Sequence, residues 1–75
     1  MSTTVMQLVG FGVASFGFLL SRYGQRVTGP EFASMIRQHY GHPKALEVAN
    51  AFECCGEDFT VARVCYGWQY GPAVR

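Results

Sequence analysis

Residues 9–24 read VGFGVASFGFLLSRYG, and the reading of this stretch decides the fold. It is strongly apolar, yet it holds Gly10, Gly12, Gly17 and Gly24 together with Ala14, Ser15 and Ser21. Glycine costs a helix in water about 1 kcal/mol against alanine. So many small residues in an apolar segment point to a helix that lies in a membrane and presses its backbone on another helix. No formally charged side chain precedes Arg22. The run from Thr3 to Tyr23 is long enough for about 30 Å of helix, the thickness of a bilayer core. Val5, Leu8, Val9, Phe11, Val13, Phe16, Phe18, Leu19 and Leu20 favour insertion, by only a few kcal/mol in total. Gln7, the threonines, Ser15 and the glycines weaken that gain, so protein neighbours would help to hold the span.

Two rivals lack their signals. MSTTVMQ has no basic residue and LLSRYG no small-x-small cleavage site, as a secretory signal would require. The first 21 residues contain no arginine, as a transit peptide would. A third rival is a helix buried in a globular domain. It would need the remaining chain, about fifty residues and a small core, to cover an apolar helix on all sides.

Within the span, Gly10, Ala14, Gly17, Ser21 and Gly24 recur at intervals of 4, 3, 4 and 3, and Gln7 and Thr3 continue the series. Residues three and four apart share a helix face. In lipid, small residues let two backbones approach closely, and a polar side chain can bond across the contact. Gln7, Gly10, Ala14, Gly17, Ser21 and Gly24 are therefore the expected contact with a partner helix. Val5, Val9, Phe16 and Leu20 would face lipid or bulky neighbours. Arg22 and Arg26 follow the span with Tyr23 between them, a pattern expected at the lipid headgroups. The positive-inside rule places the C-terminal part in the cytoplasm or the mitochondrial matrix.

The second part, 27–75, begins with Thr28-Gly29-Pro30-Glu31, which has the T-x-x-E form of a capping box with an early proline. An amphipathic helix is predicted over about 30–40, closed by Gly41. His42-Pro43 starts a second one over about 43–55, closed by Gly56. The tail, 57–75, is rich in β-branched and aromatic residues and reads as extended, with Val64, Tyr66, Trp68 and Tyr70 on one side. The predicted fold is thus all-α and membrane-anchored: one N-terminal transmembrane helix (1–26), two short amphipathic helices and an extended tail.

A net charge of +1, with no cluster of basic residues, gives no general attraction to nucleic acid. No serine, histidine and carboxylate constellation is recognisable, and no glycine-rich phosphate loop follows a strand. No enzyme, cofactor or small-molecule substrate is expected. His39-x2-His42 could be half a metal site, but Cys54, Cys55 and Cys65 lack a C-x2-C pair. The nine residues between Cys55 and Cys65 match the spacing of the twin C-x9-C proteins of the mitochondrial intermembrane space, which need two such pairs where this chain has one spacing and an odd cysteine. The reading is buried small thiols and interfacial histidines, with no bound metal, and leaves open whether the cysteines are oxidised.

The order of parts over the whole chain resembles the small single-span accessory subunits of mitochondrial inner-membrane complexes. Those are the supernumerary subunits of the respiratory, electron-transport complexes and of ATP synthase. The resemblance implies a non-catalytic subunit that helps to assemble or stabilise a multi-subunit membrane complex. Its partners would be the other subunits and the bilayer. Its place would be the inner membrane, with the C-terminal part on the matrix side. A small membrane regulator that binds a transporter or pump reversibly is the alternative.

Overall fold

A computed structural model describes residues 3–23 and 26–72, the side chains of Arg22 and Tyr23 excepted. The elements run α1 (Thr3–Phe16), α2 (Phe18–Tyr23), β1 (Arg26–Thr28), α3 (Gly29–His39), α4 (Pro43–Cys54), β2 (Phe59–Val64) and β3 (Gly67–Pro72). The strands form one antiparallel sheet in the order β1-β2-β3. Arg26 stands opposite Ala62 and Thr28 opposite Thr60. The β2–β3 ladder runs from Phe59 opposite Pro72 to Val64 opposite Gly67.

The all-α, membrane-anchored expectation and its single transmembrane helix are therefore corrected. No helix among the described residues is long and apolar enough to cross a membrane. α1 has 14 residues, about 21 Å of helix, and the chain breaks at Gly17 before the six residues of α2. The Gly17 N–H still donates to the Val13 carbonyl at 3.1 Å, and the Leu20 N–H donates to the Gly17 carbonyl at 3.0 Å, a tighter turn than the α-helix. A Cβ on Gly17 would lie 2.4 Å from the Val13 carbonyl oxygen and 2.8 Å from Trp68 Cε2. The bulky side, expected against lipid or bulky neighbours, faces the core of the chain itself. Val9, Phe16 and Leu20 are buried in the core together with Val13 and Leu19, and Val5 packs against them.

The helices over 30–40 and 43–55 form with nearly those bounds, because their signals are local. Thr28 Oγ1 accepts a hydrogen bond from the Glu31 N–H at 3.3 Å, and Glu31 Oε1 accepts one from the Thr28 N–H at 3.3 Å. That is the full capping box. At the start of α4, His42 Nδ1 accepts from the Ala45 N–H at 3.1 Å, with Pro43 in the first turn. α3 and α4 make a helical hairpin. Arg37 Nη2 bridges its open side, donating to Asn50 Oδ1 at 2.6 Å and Glu53 Oε2 at 2.7 Å. The guanidinium holds the Glu53 carboxyl below the usual carboxylate range. This contact is present above that range and fades as pH falls through the lowered value.

All the helices lie on one face of the sheet. A run of rings crosses the core from Phe32 on α3 to Phe52 on α4 (4.8 Å between centroids), Phe59 on β2 (6.2 Å) and Tyr70 on β3 (6.3 Å). α1 closes over this row through Gly12, where a Cβ would come within 2.5 Å of Phe52 Cε2 and of Val48 Cγ1. The amino-terminal helix is thus covered on one side only, and the short remainder of the chain suffices for that.

The extended tail becomes a hairpin whose two-residue turn is Cys65-Tyr66. Its partner, β1, was not expected, because three residues carry no readable alternation. Cys65 has φ +54°. A positive φ at the first central residue alone is the II′ pattern, which favours glycine. Cys65→Gly should therefore raise stability by about 0.5–1 kcal/mol, the relief of left-handed strain less the entropy that glycine adds to the unfolded chain. Thermal unfolding monitored by circular dichroism tests this. A fall in Tm would show that Cys65 is held by contacts that outweigh its backbone cost.

Candidate docking face

The side of α1 and α2 turned away from the core carries Thr3, Thr4, Gln7, Phe11, Ala14, Ser15, Phe18 and Ser21, all exposed. None is charged. Phe11 and Phe18 are 45% and 51% exposed, which is high for phenylalanine on a folded surface. Phe11 lies on α1 and Phe18 on α2, on either side of the break at Gly17, with the small exposed residues Ala14 and Ser15 between them in sequence.

The rings are set firmly. Phe11 meets the buried Phe16 edge-on at 6.4 Å. Phe16 stacks on Tyr40 at 4.7 Å, and Tyr40 meets Phe18 at 6.4 Å and His42 at 5.8 Å, both edge-on. His42 is itself fixed by its cap to Ala45. The Lys44 ammonium lies 5.1 Å from the Phe11 centroid, within cation–π range. The α3–α4 joint thereby extends the face of α1 and α2 into a patch of three partly exposed rings rimmed by an imidazole and an ammonium. Such a surface can shed water and present rigid aromatic anchors to a groove.

The sequence-predicted contact residues divide. Gln7, Ala14 and Ser21 lie exposed on this outer side, and Ser21 Oγ accepts a hydrogen bond from Arg63 at 2.7 Å. Gly17 faces inward on Trp68, and a Cβ on the half-buried Gly10 would meet the Tyr70 hydroxyl at 3.5 Å. Gly24 and the side chains of Arg22 and Tyr23 lie outside the described residues. Arg26 belongs to β1. Sequence reasoning missed Phe11 and Phe18 as a pair, and Tyr40, His42 and Lys44 with them. The available signal was the 7-residue interval between two phenylalanines on a face without charge.

The remaining chemistry-bearing groups do not converge. Cys54, Cys55 and Cys65 are free thiols. The Cys55 thiol donates to the Ala51 carbonyl at 3.2 Å, and burial followed by the neighbouring Cys54 pushes its pKa up, away from reactive thiolate. Among the described residues no three His, Cys, Asp or Glu side chains are placed to hold a metal ion. No family model, curated protein or solved structure matches the chain.

Proposed function

We propose that this chain is a non-catalytic accessory subunit that docks on a larger protein through the outer face of α1 and α2. The observation that carries the reading is the pair Phe11 and Phe18, about half exposed and pinned by neighbouring rings on a face without charge. The occupant is a partner subunit with an apolar groove that takes both phenyl rings. The accessory-subunit role inferred from the sequence is kept. The membrane crossing, on which the likeness to mitochondrial single-span subunits rested, is not.

The test is the mass of the native particle that contains this 8.3 kDa chain, tagged at its own expression level. The wild type should run in a stoichiometric assembly with one larger polypeptide, and Phe11→Glu/Phe18→Glu should run as a free monomer. Two aromatic anchors of about 2 kcal/mol each correspond to roughly a 1,000-fold loss of affinity. Both positions are exposed, so the variant should keep the wild-type Tm within a few degrees. A wild-type chain that runs alone, or a folded double variant that keeps its partner, would overturn the proposal.

A further inference from the structure

The sheet face turned away from the helices holds a second arrangement, independent of the aromatic patch. We infer that it is a binding site for the carboxylate of an acidic peptide side chain. The register sets Arg26, Ala62 and Gln69 in one row across the three strands, with Thr60 and Gly71 in an adjacent row. Strands lie about 4.8 Å apart, so Arg26 and Gln69 flank Ala62 at about 10 Å from each other. They frame a cleft of about 350 Å³ whose floor is Thr60, Ala62 and Gly71. Ala62 is only 6% exposed although it stands on the open face. The floor is thus a shaded methyl group, with a guanidinium on one side and a carboxamide on the other.

Charge accounting singles out Arg26. Arg37 pairs with Glu53, Lys44 with Glu47, and Arg63 bonds Ser21 and lies over the Trp68 ring. Arg26 alone among the described cations has no hydrogen-bond or ionic partner, and among the described residues no acidic side chain lines the cleft. A carboxylate in the middle of the cleft would meet the planar fork of Arg26, the Gln69 amide N–H and the Thr60 hydroxyl, all of them donors. The cleft is open on one side and suits a side chain presented by an extended peptide. The free edge of β3, next to Gln69 and Gly71, would run beside that peptide's backbone.

Heteronuclear NMR titration with acetyl-Gly-Glu-Gly-amide at constant ionic strength tests the inference, with acetyl-Gly-Gln-Gly-amide and inorganic phosphate as separate arms. The glutamate peptide should give saturable shifts at Ala62 and at the Gln69 side-chain amide. Arg26→Gln should weaken binding at least about tenfold, the scale of one charge-assisted contact. Gln69→Ala should weaken it several-fold, and Arg26→Lys should restore only part of what Arg26→Gln removes, since it keeps charge without the fork. Wild-type-like amide dispersion in each variant separates lost binding from lost folding. The inference fails if the glutamine peptide binds equally well, if Arg26→Gln and Gln69→Ala both leave affinity unchanged while folded, or if phosphate binds more tightly than the glutamate peptide. None of these outcomes depends on the docking face of α1 and α2.

Discussion

Phe52→Ala is expected to remove most of the stability of this fold. The ring is fully buried and holds four elements at once. It stacks on Phe32 of α3 and Phe59 of β2, lies under Gly12 of α1, and belongs to α4. Truncating a buried phenylalanine costs about 3–5 kcal/mol, including the cavity left behind. A 75-residue domain has about 4–11 kcal/mol in all. A loss of about 4 kcal/mol lowers Tm by roughly 15–30 °C at this size. Phe52→Leu, which keeps most of the volume, should cost far less. Denaturant unfolding of the three proteins decides it. A Phe52→Ala variant within about 1 kcal/mol of wild type would mean that the rings are not packed as described.

The second large effect concerns the glycines, and here the tertiary structure reverses an expectation drawn from spacing. Gly12→Ala and Gly17→Ala should each destabilise by about 1–3 kcal/mol, because the added methyl has nowhere to go. At Gly12 it meets Phe52 and Val48, both fully buried, within 2.5 Å. At Gly17 it meets a backbone carbonyl oxygen and the Trp68 indole. Gly10→Ala meets only the Tyr70 hydroxyl, at an ordinary 3.5 Å. It should be neutral or stabilising by up to about 1 kcal/mol, through helix propensity. Measured Tm values should therefore rank Gly10→Ala above wild type or level with it, and the other two well below. Equal tolerance at all three sites would mean that α1 does not press on α4 and β3.

Gly12 is not on the series of small residues read from the sequence, and this shows where that reading stopped. Spacing reveals which residues share a face, but not what the face touches. The same 3.5-residue rhythm serves a helix pair in lipid and a helix laid on a globular core. The absence of charge before Arg22 suits lipid and a globular core alike. In the fold the charge-free side is a surface with two phenylalanines on it, and the strongly apolar side is the core. Caps and breakers specify structure more directly. Thr28 with Glu31, Pro43 after His42 and the β-rich tail each act through neighbours in sequence, and each gives the element it signals. The docking face was half legible, in Phe11 and Phe18, while Tyr40, His42 and Lys44 join it only through the α3–α4 hairpin. The Arg26–Ala62–Gln69 row was not legible, because it depends on the register of β1 against β2, which two helices separate in sequence.

Residues near one another in the chain are enough to specify α3, α4 and the β-rich tail, though neither β1 nor the break at Gly17. A cap, a proline or an alternation of side chains acts over three or four residues of backbone, whatever the rest of the chain does. Only the tertiary structure decided which way the first helix turns. That choice depends on whether α4 and β3 can offer Phe52, Val48 and Trp68 at the places where Gly12 and Gly17 leave room. Burial is a property of two surfaces meeting, and one strand of sequence specifies only one of them.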